Sequence, residues 1–148
     1  MREYTLGRQI AVVARLWRAE LDRRLLPQNL SQARYVLLTL LVEAGSPLSQ
    51  NDLAERAGIA GPTLVRQLDQ LESNGLVERR DAPDDRRVKH VCITPVGKSA
   101  HRKAHVIADR LRAELTTDMG PDSIAGIQTA MAALLVRLDT IRISDNAK

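Results

Sequence analysis

The chain has 148 residues, enough for one domain with a modest hydrophobic core. It contains no Phe and only 2% aromatic residues, so the core must consist of Leu, Val, Ile and Ala, which favours a helix-rich fold. The formal charge of +4 is compatible with a phosphate-rich partner, and the single cysteine, Cys92, excludes an internal disulfide.

Targeting signals are not recognisable in the sequence. The N-terminal residues lack the apolar stretch and cleavage site of a signal peptide, and no apolar run approaches about 18 residues. We therefore expect a cytoplasmic protein without a membrane-spanning helix.

The first two predicted elements are helices. Apolar residues recur every three to four positions over residues 6–26, which predicts an amphipathic helix that Pro27 ends. Ser31 is a good N-cap for a second helix over residues 32–44. Because that helix is apolar on nearly all sides, we expect it to be buried.

Two further helices joined by a tight turn are predicted next. Ser49 begins a capping box that opens a short helix over residues 50–57. Gly61-Pro62 begins the following helix, because proline at the first helical position loses no hydrogen bond, and Asn74-Gly75 ends it. This spacing is typical of a helix-turn-helix.

A hairpin and two helices complete the chain. Short β-type runs over residues 76–80 and 88–94 flank a polar, turn-rich tip over residues 81–87. Helical periodicity follows over residues 95–117 and 122–142.

The order predicts a mainly α fold with a small β-hairpin, namely a winged helix-turn-helix over residues 32–94. Its second helix would enter the DNA major groove, so its early outward positions must suit base edges. Thr63, Arg66 and Gln67 do so, because Arg can contact guanine, Gln can pair with adenine and Thr can contact thymine. Pro62 leaves that helix end compact enough for close approach.

The predicted wing carries basic residues at its tip. Arg86 and Arg87 lie there beside carboxylates, and an Asp that pairs with an Arg would hold its fork ready for a narrow minor groove. Arg86 and Lys89, with Ser49 and Gln50 at the start of the short helix, are candidate phosphate contacts.

Four segments in this order resemble the MarR family of bacterial regulators. They are Asp-Leu-Ala-Glu-Arg-Ala-Gly-Ile (52–59), Pro-Thr-Leu-Val-Arg-Gln-Leu-Asp-Gln-Leu-Glu (62–72), Gly-Leu-Val-Glu-Arg (75–79) and Asp-Arg-Arg (85–87). Leu6-Gly7 and Leu16-Trp17-Arg18 resemble the SlyA branch of that family. The resemblance covers nearly the whole chain and is strongest over residues 49–97.

The resemblance implies a single MarR-type domain over residues 1–148 that forms a homodimer. Residues 1–30 and 95–144 would make the helical dimerisation region, and each subunit would project one winged lobe. Members of the family usually repress transcription by occupying pseudo-palindromic operators in double-stranded DNA. The family's recognition positions fall on Pro62, Thr63 and Arg66, its wing arginine on Arg87, and the Asp that braces it on Asp85.

Many members of the family are released from DNA by small anionic aromatics such as phenolic carboxylates. A carboxylate would need an Arg, and a ring would need Trp17 or Tyr35. Relatives in the SlyA branch often carry Trp and His where this chain has Tyr35 and Thr39. The positions that match the family's ligand pocket are Arg15, Trp17, Arg18, Ala33, Tyr35, Thr39 and Arg66.

Several alternatives remain open from the residues alone. The winged fold also serves as a protein-interaction domain without sequence-specific DNA binding. Trp17 and Tyr35 fit a core or an interface as well as a ligand site. His101 and His105, four residues apart, are expected on a solvated helix face rather than at a metal. No phosphate loop, nucleophile elbow or metal signature is present, so we expect neither an enzyme nor a cofactor.

Overall fold

The computed structural model of the protein describes residues 5–146, with side chains described to residue 144. It is mainly helical, and the predicted order of helices and hairpin is confirmed. The elements are α1 (Leu6–Leu25), a 3-10 turn (Leu26–Gln28), α2 (Gln32–Ala44), β1 (Leu48–Ser49), α3 (Gln50–Ala57), α4 (Gly61–Ser73), β2 (Val77–Asp81), β3 (Lys89–Ile93), α5 (Pro95–Leu115) and α6 (Pro121–Asn146).

Local sequence signals set the ends of the central helices. The side chain of Ser31 accepts a hydrogen bond from the backbone N–H of Arg34, and that of Ser49 accepts one from Asp52. Gly45 and Gly58 end α2 and α3 with φ of 65°, a left-handed conformation that glycine adopts without strain. These caps fix the turns between the helices that build the lobe.

The sheet has one strand more than the predicted hairpin. β2 and β3 pair antiparallel from Val77↔Ile93 to Asp81↔Lys89, and β1 adds to the other edge of β3, with Leu48 opposite Val91. A strand of two residues has no periodicity of its own, so only the distant partner β3 defines it. As a result, the start of α3 is held beside the outer part of the wing strands, where Ser49 lies opposite His90.

Leucine side chains from α2, α3 and α4 form the core of the lobe, together with valines from the sheet. The fully buried members are Leu37, Leu38, Leu53, Leu64, Leu68, Leu71, Val77 and Val91. The expectation that α2 is buried all round is wrong on one face, because Val42 is 39% exposed. Each helix therefore keeps an outward face.

Packing divides the chain into two compact units, a first that ends at Asp109 and a second that begins at Arg110. The predicted division into a lobe over residues 32–94 and flanking dimerisation segments stays a prediction. In the second unit, α6 has only two half-buried side chains within residues 121–144, Ile124 and Leu134, and the others there are exposed.

By length and composition, α6 could cross a membrane: residues Pro121–Ser144 have a mean hydropathy of 1.4 in their most apolar window. The helix holds no uninterrupted apolar run of about 18 residues, and its length and composition alone do not make it a membrane span. Scattered polar residues such as Gln128 and Thr129 conceal the apolar character of this helix from a search for uninterrupted runs.

Candidate nucleic-acid interface

The outward face of α4 is polar, and its inner face is sealed into the core. Pro62, Thr63 and Arg66 are exposed and Gln67 is half-buried, whereas the inward leucines of α4 are buried. The predicted recognition residues therefore share the N-terminal half of one outward helix face. The structure places them where a partner can reach them without disturbing the core.

Arg34 of α2 also reaches this face, and sequence reasoning missed it. Its Nη1 donates to Oε1 of Gln70 on α4 at 3.0 Å, and its Nε donates to the hydroxyl of Ser31 at 3.2 Å. The contact joins residues 36 positions apart, so no local pattern signals it. It orients Gln70 and adds a positive charge beside α4.

Asp85 holds Arg87 at the wing. The backbone N–H of Arg87 donates to Oδ1 of Asp85 at 2.9 Å, and its Nε donates to the same oxygen at 3.3 Å. The Arg87 side chain remains 93% exposed, while that of Asp85 is 45% exposed. Because Nε is the inner nitrogen of the guanidinium, the fork is oriented and its outer nitrogens still face solvent.

Two cations on the hairpin strands are matched by carboxylates. Arg80 pairs with Glu78, and Lys89, predicted as a phosphate contact, pairs with Asp81. Within the described part of the chain, Arg66 and Arg86 form no ion pair. Of the described cations on α4 and the hairpin, Arg66 and Arg86 are therefore the two that no carboxylate pairs.

Arg79 belongs to the fold rather than to the outward surface. Its guanidinium donates to Glu72 at 2.5 and 3.0 Å and to Asp69 at 2.7 Å, which joins β2 to α4. These hydrogen bonds hold the pKa of Glu72 below its ordinary value and raise that of Arg79. These contacts fix β2, the first strand of the wing, to α4.

Three of the four predicted phosphate contacts, Ser49, Gln50 and Lys89, lie at one shallow cleft between α3 and the wing, and Arg86 does not line it. Ser49 and Gln50 line it from one side, and Arg87 and Lys89 from the other, with a volume of about 120 Å³. Asn51 and Val88 complete the lining and were not predicted. The pairing of β1 with β3 brings these segments together, which explains why the sequence did not signal the cleft.

The predicted ligand residues lie on three helices. On α1, Arg15 and Arg18 are exposed and Trp17 is half-buried. On α2, Ala33 is exposed and Tyr35 and Thr39 are half-buried, and Arg66 is exposed on α4.

Tyr35 and Thr39 contact two histidines of α5. The Tyr35 hydroxyl lies 2.9 Å from Nδ1 of His105, and the Thr39 hydroxyl lies 3.2 Å from Nε2 of His101. The expectation of a solvated histidine face is wrong for His101, which is buried at 8% exposure. The sequence could not show that α2 covers this part of α5.

Known proteins match the chain in sequence and structure. Residues 30–89 match the profile of the MarR family. The transcriptional regulator PA3341 is 38% identical, with a TM-score of 0.82 over 92% of this chain and 99% of that one. The regulator BldR from Sulfolobus solfataricus is 28% identical, with a TM-score of 0.82 over 89% of this chain and 93% of its own.

A mutant of the MarR protein from E. coli, solved in complex with operator DNA, is 27% identical, with a TM-score of 0.80 over 88% of this chain and 93% of that one. The family profile covers the lobe that carries α4 and the wing, and the structural likeness extends over nearly the whole chain. On these grounds, the chain belongs to the MarR family of DNA-binding transcriptional regulators.

Proposed function

We propose that this regulator binds pseudo-palindromic operators in double-stranded DNA as a cytoplasmic homodimer and represses transcription. The observation that carries the proposal is the polar N-terminal half of α4 beside a wing arginine that Asp85 orients. The complex of the E. coli relative with operator DNA supports the same use of the fold.

In this proposal, α4 makes the contacts to the DNA bases. Thr63, Arg66 and Gln67 lie on its outward side near the N-terminus, the end that a recognition helix presents to the major groove. Arg66 has no competing carboxylate among the described residues, so its fork is available for guanine O6 and N7. Gln67 and Thr63 would add contacts to adenine and thymine.

The wing supplies positioning and groove shape. Arg87 is oriented by Asp85 and loses little further freedom when it enters a narrow, electronegative minor groove. Arg86 at the tip, and Ser49, Gln50 and Lys89 around the cleft, would contact phosphates. The ion pair of Lys89 with Asp81 would have to loosen for that contact.

The homodimer is supported by the surface of α6. Large apolar side chains are exposed over its whole length, including Leu135, Val136 and Leu138, and soluble proteins rarely leave such surfaces uncovered. A second copy covers it in the proposed dimer. Two-fold symmetry then requires an inverted repeat whose half-sites lie about one helical turn apart.

Ligand control is a further part of the proposal. A small anionic aromatic would bind among the seven residues that match the family's pocket and release the protein from DNA. It can shift the equilibrium only as far as its affinities for the two states differ. The residues Leu16-Trp17-Arg18 on α1 support placement of the chain in the SlyA branch.

The test is operator binding measured against salt concentration with DNA from upstream of the chain's own gene. Arg87→Ala and Arg66→Ala should each weaken binding, and Arg87→Ala should flatten the salt slope by about one unit. Lys103→Ala on α5 removes the same charge away from α4 and the wing and should leave the slope unchanged. A wild-type slope in Arg87→Ala would contradict the wing assignment, and no binding at low salt would favour a protein-interaction domain.

A further inference from the structure

Four side chains join α2 to α5 in a mixed hydrogen-bonded and stacked group, here called the histidine cluster: Tyr35, Thr39, His101 and His105. The His101 ring stacks on Tyr35 at a centroid distance of 5.7 Å and on His105 at 5.6 Å. His101 is the buried member. All four lie in the first compact unit.

The Thr39 hydroxyl contacts groups on both helices. It lies 3.0 Å from the carbonyl oxygen of Tyr35, to which it donates, and 3.2 Å from Nε2 of His101. A second proton on His101 puts a charge on a buried ring between two aromatic neighbours.

Charged groups around the two rings determine how readily His101 accepts that proton. Nε2 of His105 lies 3.5 Å from Oδ2 of Asp109, and the His105 ring is the more exposed of the two. A charged His105 opposes a charge on His101, and Arg102 does so too, while Glu43 of α2 favours it. Burial, His105 and Arg102 together hold the pKa of His101 below its ordinary value of 6.5, against Glu43.

We propose that the histidine cluster is an acid-sensitive switch: protonation of the buried ring of His101 loosens α2 from α5 and weakens DNA binding. The inference rests on the proposed function. α5 begins directly after β3 of the wing, and α2 packs on α3 and α4. A looser contact between α2 and α5 therefore changes the position of the winged lobe on α5. In the proposed dimer, that position sets where α4 and the wing meet the DNA.

The sign of the effect distinguishes this switch from ordinary electrostatics. Lowering the pH adds positive charge to the protein, which by itself strengthens attraction to DNA phosphates. The switch requires the opposite result, which is weaker binding as the pH falls below 6.5. The reason is that the packed junction holds the pKa of His101 below 6.5, so protonation of His101 favours the loosened junction.

Operator affinity at pH 7.5 and pH 5.5, at constant salt, tests the switch by fluorescence anisotropy. We expect the affinity of the wild type to fall by about fivefold or more at the lower pH. His101→Gln, which keeps a hydrogen-bonding side chain without a titrating ring, should lose less than about twofold. The third histidine provides the control, since His90→Gln on β3 should behave as the wild type.

Unchanged or tighter wild-type binding at pH 5.5, or the same loss in His101→Gln, would overturn the switch. If His101→Gln does not fold, His105→Gln decides: without the neighbouring charge, the affinity loss should move to higher pH, and an unmoved curve rejects the cluster. Absence of binding at pH 7.5 would instead reject the proposed function. In that case NMR titration of the free protein still tests the cluster, because the pKa of His101 must lie below its ordinary value of 6.5.

Discussion

At the scale of single residues, the contact of Asp85 with Arg87 shows how a carboxylate can assist binding to a polyanion. One carboxylate oxygen accepts from both the backbone N–H and Nε of Arg87, so the side chain leaves the wing in a fixed direction. The neighbouring acid Asp84 is exposed at the same tip. Substitution of each acid therefore separates two effects on DNA binding, the orientation of Arg87 by Asp85 and the negative charge that both acids carry.

Asp85→Ala should weaken operator binding by about threefold to tenfold, although it removes a negative charge, because Arg87 loses its orientation. Asp84→Ala should leave affinity unchanged or slightly raised, as loss of a negative charge alone requires. Titration of labelled operator DNA measures both. Tighter binding by Asp85→Ala would mean that charge, and not the brace, dominates at the wing.

Arg79 offers a residue-scale prediction about stability. Arg79→Ala should lower the free energy of unfolding by about 1–2 kcal/mol, since it breaks hydrogen bonds to two carboxylates of α4. Arg80→Ala removes an exposed pair with Glu78 that solvent screens, so it should lower the free energy of unfolding much less than Arg79→Ala does. Urea unfolding at fixed protein concentration compares the two, and equal losses would contradict a structural role for Arg79.

The ion pair of Arg79 with Glu72 predicts a pH dependence of stability. Arg79 lowers the pKa of Glu72 from its ordinary 4.5, so the pair stabilises the fold fully above pH 4.5 and less as the pH falls through the folded-state pKa. Arg79→Ala should therefore lose less stability than the wild type when the pH is lowered below 4.5.

At the scale of elements, the start of α5 depends on one glycine. A Cβ built on Gly97 would lie 2.0 Å from the carbonyl oxygen of Leu76 and 2.8 Å from Cγ1 of Ile93. The backbone N–H of Gly97 also donates to the Thr94 hydroxyl at 2.9 Å. This close approach sets α5 against the backbone at the start of the wing, and no turn or cap signal in the sequence marks it.

Gly97→Ala should therefore destabilise the protein by about 1–3 kcal/mol, because the obstructing oxygen belongs to the backbone and cannot rotate away. Gly7→Ala on α1 meets nothing within 4 Å and should change stability by less than about 1 kcal/mol, in the stabilising direction. Thermal unfolding distinguishes the two. A neutral Gly97→Ala would show that α5 can shift away from β2 without cost.

At the scale of the whole molecule, the exposed apolar helix α6 is the feature that a single chain leaves without a cover. Its composition also suits a membrane span by length, but the family relationship and the polar residues scattered along it favour a second protein surface. The proposed dimer therefore predicts both the mass of the particle and its behaviour without detergent.

The wild type should sediment in detergent-free buffer at about twice the chain mass of 16.4 kDa. Leu138→Glu, at a side chain 61% exposed in the single chain, should shift the particle toward the monomer because it places a charge in the covered surface. Ser123→Glu in the first turn of α6 adds the same charge where the helix dipole favours it and should remain dimeric. A wild-type monomer, or a protein extracted only with detergent, would contradict the dimer.

The sequence by itself determined the order of helices, their caps and the hairpin, because those depend on neighbours within a few residues. Ser31, Ser49 and Pro62 mark helix starts through local hydrogen bonding or its absence, and short β-type runs on either side of a turn-rich tip mark β2 and β3. It also placed the outward residues of α4, since helical periodicity separates polar from apolar positions.

Only the tertiary structure decided which distant side chains meet. β1 exists because β3 lies beside it, Gly97 matters because of a carbonyl 21 residues earlier, and His101 is buried because α2 covers it. These contacts join segments far apart in the chain, where local patterns carry no signal. The same holds for Arg79, whose partner Glu72 only the fold assigned, whereas the contact of Asp85 with Arg87 was already expected from the sequence.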